Sequence, residues 1–146
     1  MQIQKEQLDA KTLAQFDFDN FDENHRIDET EWEQVLSNGY VPIYVARTEQ
    51  NEIAGILIFK TSKVFKTRWY FYSVVIAEKY RRMGLASRIF YDAVRCESVL
   101  GKMNSHCHID NEASIALHNS LGFNIIQYVP DFYGDFEDAF LWVKPI

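Results

Sequence analysis

From Tyr70 to Ile76 the chain runs through β-branched and aromatic residues, a pattern that favours an extended, well-covered strand. The polar stretch Glu78 to Arg82 ends that run. From Gly84 the period changes. Leu85, Ile89 and Ala93 recur at every fourth position with Ala86, Phe90 and Val94 beside them, one apolar stripe of an amphipathic helix that stops before Gly101-Lys102. Asn104 to Ile109 reads as the next strand. A right-handed strand–helix–strand crossover makes the Tyr70–Ile76 strand its expected neighbour. Asp110 or Asn111 would cap a following helix whose expected buried stripe is Ala113, Ala116, Leu117 and Leu121, and Gly122-Phe123 would close it.

The flanking segments follow the same logic. Met1 to Leu8 suits a short first strand with Ile3 and Leu8 inward. Residues 10–21 suit a helix with Leu13, Phe16 and Phe21 on one side. A second helix is expected over Asp28 to Leu36, capped by Asp28 or Thr30, with Trp32, Val35 and Leu36 as its stripe and Asn38-Gly39 as its stop. Tyr40 to Arg47 and Ile53 to Phe59 pair as antiparallel strands across a polar turn, and Thr61 to Thr67 makes a polar connection. Phe123 to Val129 and Phe136 to Val143 give two last strands around a loop, Pro130 to Asp135. The sum is an α/β (α+β) domain, a mixed sheet with helices on both faces.

Composition adds limits. One domain over residues 1–146 is long enough for a real core. The start carries no apolar signal region and no run approaches a membrane span, so a cytoplasmic protein without a membrane partner is expected. Cys96 and Cys107 make no disulfide framework. The net charge of −6 is uneven, because residues 1–33 hold ten acids against Lys5, Lys11 and Arg26. Nucleic acid is therefore disfavoured as a partner. The acids would steer a cationic acceptor or merely solvate two surface helices.

Candidate chemistry sits first in Arg81-Arg82-Met83-Gly84-Leu85-Ala86. This loop delivers unpartnered N–H groups to a helix start, where an anion is favoured by both donors and dipole. Gly84 removes a side chain where a phosphate would approach, Ala86 keeps the next contact small, and the arginines add charge. A pyrophosphate cradle and a solvated basic turn both fit this pattern.

Arg-x-x-Gly-x-Ala after an apolar strand resembles the acetyl-CoA loop of the GCN5-related N-acetyltransferase (GNAT) superfamily, and Asn111 to Phe123 resembles that family's second signature. The resemblance implies a single GNAT-like domain. Its sheet would be mostly antiparallel with six to seven strands, about four helices and a splayed central strand pair. It implies acetyl-CoA as co-substrate, no metal, and transfer to a primary amine by direct attack. Backbone groups of Val74, Val75 and Ile76 would hold the pantetheine, with Arg81, Arg82, Met83, Gly84, Leu85 and Ala86 on the phosphates and Asn111 on the cofactor. A backbone N–H near Val75 or Ile76 would polarise the thioester carbonyl.

His118 falls where many members of the family carry a tyrosine that protonates the leaving thiolate. A surface histidine is the alternative there, as an N-cap is for Asn111. Tyr70 and His106 match a tyrosine and a histidine that act through water in N-terminal acetyltransferases of Met-hydrophobic protein starts. Phe132 and Tyr133 match residues that hold the peptide. The alternatives are a core aromatic and a hydrogen-bonded strand histidine. A metal site at His106 and His108 is disfavoured, since Cys107 between them points the other way.

The expected acceptor is a protein or peptide N-terminus or a lysine. A polyamine-like amine and a non-catalytic CoA-binding regulatory module are the alternatives. Monomer and homodimer stay open. The sequence has no counterpart of the proline-containing substrate loop of the Met-hydrophobic branch.

Overall fold

The computed structural model describes residues 1–21 and 26–146. Asp22 and Glu23, two of the N-terminal acids counted above, lie outside the described residues. The strands are β1 (Gln2–Lys5), β2 (Ile43–Arg47), β3 (Ile53–Lys60), β4 (Trp69–Ile76), β5 (Lys102–His108), β6 (Asn124–Gly134) and β7 (Glu137–Pro145), in one sheet of order β1-β2-β3-β4-β5-β7-β6. The β4–β5 pair is parallel and the other neighbours are antiparallel. The helices are α1 (Ala10–Asn20), α2 (Glu29–Ser37), α3 (Leu85–Cys96) and α4 (Glu112–Ser120), with a short 3₁₀ turn over Glu78–Tyr80.

Strand alternation divides the core in two. On one face Leu57, Phe59, Trp69, Phe71 and Met103 meet Leu85, Ile89, Phe90 and Ala93 of α3. On the other, Val45, Ile56 and Ile58 meet Leu13 of α1 with Trp32 and Val35 of α2. The α3 stripe is thus the one its four-residue period predicts.

Four expectations change. Tyr40 is not part of a strand but an isolated bridge to Thr61, because Pro42 lacks a donor and β2 begins after it. The expected loop Pro130–Asp135 is mostly strand, since β6 runs on to Gly134. Pro130 is tolerated because β6 is a sheet edge. The α4 stripe is rotated: Ala113 and Ala116 are exposed, while His118 and Leu121 are buried. Asp17, grouped above with surface acids, is also buried.

The parallel β4–β5 pair is joined only at its start, Trp69 to Met103 and Tyr70 to Asn104. Beyond it, β4 stays with β3 as far as Ile76, and β5 stays with β7 as far as His108. The two halves of the sheet therefore part at one end. At the fork the Ser105 hydroxyl lies 3.0 Å from the Phe71 carbonyl and bonds to it.

Candidate active site

Three of the four α-helices carry a side-chain cap at the start. Asp9 accepts from the Thr12 N–H in α1, Asp28 from Glu31 in α2, and Asn111 from Ser114 in α4. Among the described residues α3 alone has none; Gly84 is its N-cap residue, at φ 74°. Arg82 is left-handed too, at φ 64°, so two such residues wind the turn tightly before the helix. Among the described residues, a Cβ built at Gly84 would meet nothing within 4 Å beyond its chain neighbours, so the space over it is open. Unpartnered N–H groups at an α-helix start beside open space make a fit place for a diphosphate.

The loop residues divide. Arg82, Met83 and Gly84 are exposed, Ala86 is half-buried, and Leu85 is buried as the first core residue of α3. The Arg81 guanidinium is turned inward: Nε donates to the Ile76 carbonyl at 2.9 Å and Nη2 to the Asn20 carbonyl. Arg81 thus ties the end of β4 to the end of α1, and its side chain is committed to carbonyls rather than extended over the turn. Val75 is buried, with Val74 and Ile76 half-buried, and all three pair with β3 on one edge only. Their other edge faces the fork.

On the α1–α2 side of the fork aromatic rings and histidines gather. His106 lies with its ring 5.5 Å from Tyr70, 5.0 Å from Phe132 and 5.5 Å from Tyr133. His106 Nδ1 and the Tyr133 hydroxyl are 2.5 Å apart, and His108 stacks on Tyr133 at 3.7 Å. The structure therefore brings Tyr70, His106, Phe132 and Tyr133 together. Burial, and then the neighbouring His118 and His108, push His106 down to about 4, so the ring is neutral at physiological pH. Burial first, and Tyr72 second, push Tyr70 up to about 12. Burial also raises Tyr133, so its phenol keeps its proton. Cys107 faces away, its sulfur accepting from Trp142 Nε1 at 3.3 Å, and among the described residues no metal-ligand set of three gathers.

His118 is on the opposite side of the sheet and is 3% exposed. Its Nδ1 lies 2.7 Å from the Ser114 carbonyl, its Nε2 lies 2.7 Å from Ser105 Oγ, and its ring stacks on Trp142 at 4.8 Å. Burial lowers its pKa against the raising effect of the Ser114 carbonyl. In place of the alternative surface histidine stands a buried ring with each nitrogen engaged. Asn111 spends its carboxamide oxygen on the α4 cap, 3.0 Å from the Ser114 N–H.

Two residues at this site were not singled out above. Tyr72 follows Tyr70 by the strand period of two, which was the available signal. Its ring meets Trp32 of α2 edge-on at 5.8 Å, and its pKa is raised by burial, then by Glu31 and Asp17. Asp17 accepts from Trp32 Nε1 at 3.2 Å and from the Ile27 N–H at 3.3 Å. An isolated acid between Phe16 and Phe18 gives no such signal.

Residues 6–123 match the Acetyltransferase (GNAT) family, and the chain belongs to it. It is 28% identical over 103 residues to the N-alpha-acetyltransferase daf-31 of Caenorhabditis elegans, across 66% of this chain and 57% of that protein. The chain spans about half the length of the curated relatives it matches. Its fold is that of the ribosomal-protein-S18-alanine N-acetyltransferase of Escherichia coli, with a TM-score of 0.77 and 18% identity over 99% of this chain and 93% of that one. Arabidopsis thaliana NAA60 in complex with a bisubstrate analogue gives a TM-score of 0.71 with 19% identity, covering 98% of this chain and 97% of that one.

Proposed function

We propose that this protein is an acetyl-CoA-dependent N-acetyltransferase whose acceptor is the α-amine of a peptide or protein. The observation that carries the reading is the uncapped start of α3 beside the fork between β4 and β5. The turn at Arg82 and Gly84 takes the diphosphate, with Met83 over it and Leu85 and Ala86 opening the helix below. The free edge of Val74, Val75 and Ile76 takes the pantetheine, and a backbone N–H at Val75 or Ile76 faces the thioester oxygen.

The amine enters from the face carrying Tyr70, Tyr72, His106, Phe132 and Tyr133. An α-amine titrates near 8 and a lysine near 10.4, so reaching the neutral nucleophile at about pH 7–7.5 costs about 1 kcal/mol against about 4. A histidine held at about 4 is too weak to strip an ammonium. It suits a later moment, when the amine nitrogen has bonded to carbon and become acidic. The proton then passes to His106, directly or through a water held with Tyr70. The site thus favours an acceptor that gives up its proton to water at little cost, which supports an α-amine over lysine. The relative named as an N-alpha-acetyltransferase supports the same reading.

A small cationic amine is the second reading. Glu31 lies close enough to influence the ionisation of Tyr72 at the acceptor face, and the first helices are acidic. The test is release of free thiol from acetyl-CoA against peptides of varied first residues, lysine peptides and polyamines. Turnover with α-amine peptides above all others is expected. Silence across the whole panel, with acetyl-CoA bound, would show a binding module instead.

A further inference from the structure

The end of the sheet away from the fork has a character of its own. β3 ends and β4 begins there, and the connection Thr61–Arg68 carries Lys63, Lys66 and Arg68, follows Lys60, and holds no acid. Strand register continues the charge sideways: Trp69 is beside Met103, and Met103 is beside Lys144, so Lys102 and Lys144 stand at the same end. The nearby Glu97 is already paired with Lys5 at 3.0 Å and bonded by Tyr40 and Tyr44. Among these cations three apolar side chains stand in solvent: Val64 at 78%, Phe65 at 71% and Leu100 at 80% exposed.

A polar connection does not need Val-Phe at its tip, nor a helix exit a bare leucine. Apolar tips ringed by lysines match one surface well: the headgroup region of a bilayer, where apolar groups enter the acyl boundary and cations meet phosphates. Val64 and Leu100 also argue against single-stranded nucleic acid, whose bases seek aromatic platforms. No described helix is long and apolar enough to cross a membrane, so contact would be from one side.

We infer that this pole is a docking surface for anionic lipid bilayers. Val64, Phe65 and Leu100 insert, while Lys63, Lys66, Arg68 and Lys102 neutralise headgroups. β4 runs from this pole to Ile76 at the open end of the fork, roughly 25 Å, so the docked protein holds the proposed diphosphate turn toward water.

Vesicle co-sedimentation of the full chain tests it, with phosphatidylcholine alone and with about a third phosphatidylserine added. The expected result is binding to the anionic vesicles only, weakening as salt rises. The Val64→Ser/Phe65→Ser variant should bind at least about tenfold more weakly, and Lys63→Glu/Arg68→Glu should not bind. All these side chains are exposed, so circular dichroism should show both variants folded. No binding of the wild type, equal binding to neutral vesicles, or binding that ignores the apolar substitutions would overturn the inference. So would capture by polyuridylate with none by vesicles. Acetyl transfer plays no part in the readout, so this result stands apart from the proposed activity.

Discussion

α3 and α4 start at the same end of the sheet, each directly after one of the two strands that part, yet the two starts are built in opposite ways. At α4 the chain meets its own needs: Asn111 folds back onto the Ser114 N–H, and the helix begins closed. At α3 the residue in that place has no side chain, the backbone is left-handed, and among the described residues nothing beyond its chain neighbours comes within 4 Å of a Cβ built there. The same backbone donors are satisfied in one case and offered in the other. A helix start is left open to an anion when the sequence withholds the cap, and its donors are taken up where the cap is present.

The largest expected effect comes from closing the open start. Gly84→Glu places bulk and negative charge where the diphosphate would sit and forces a side chain into a left-handed residue. Acetyl-CoA affinity should fall by about a thousandfold or more, read by calorimetry on a protein that circular dichroism shows to be folded. Unchanged affinity would remove the site from this turn.

The next largest concerns an acid at no helix start at all. Asp9, at the α1 cap, is held below its usual range by the Thr12 hydrogen bonds, whereas burial pushes Asp17 in the same helix up to about 7. The folded value of Asp17 lies above its ordinary 3.8, so the native state holds that proton more tightly. Its stabilising contribution is full below about pH 4 and is lost as the pH rises through 7. One carboxylate oxygen accepts both bonds, which an asparagine oxygen can do as well. Asp17→Asn should therefore gain about 2–3 kcal/mol at pH 9 and flatten the urea midpoint between pH 5 and 9. A midpoint in the variant that still declines over that range would assign the effect to other groups.

Opening the closed start should do less. Asn111→Ala is expected to cost about 1 kcal/mol of stability in urea unfolding and to leave acetyl-CoA affinity as it was. Loss of affinity at constant stability would instead make Asn111 a ligand of the cofactor. The smallest effect is reserved for Arg82→Ala, about three- to fivefold in affinity and diminishing with salt, as for one exposed cation beside a phosphate. If Arg82 outweighs Gly84, charge rather than the open backbone makes the site.

Much of this was legible in the chain itself. The order of elements, the α3 stripe and the neighbouring of β4 and β5 follow from periodicity, because each depends on apolar residues repeating at helix or strand spacing. The failures share a cause. His118 and Asp17 are buried because specific partners meet their polar atoms, Ser105 and Ser114 for one, Trp32 and Ile27 for the other. Hydropathy assigns such residues to the surface, since it scores each residue without the hydrogen-bond partners that the fold brings to it. The side-chain partners of Arg81 were equally illegible: its guanidinium meets two carbonyls, of Ile76 and Asn20. Pro130 suggested a loop because a proline breaks an inner strand, and only the sheet order reveals that β6 is an edge.

The bond from Ser105 to the Phe71 carbonyl has a consequence for length. It rivets the sheet where the strands begin to separate, so the cleft has a fixed floor. From Tyr72 to Ile76 the open edge measures about 13 Å, and the tight turn of Gly84 stands at its rim. β4 is in effect a ruler, with His106 near the zero mark and the anion-seeking turn at the far graduation. A residue inserted into that ruler would leave both ends chemically intact and out of step with each other.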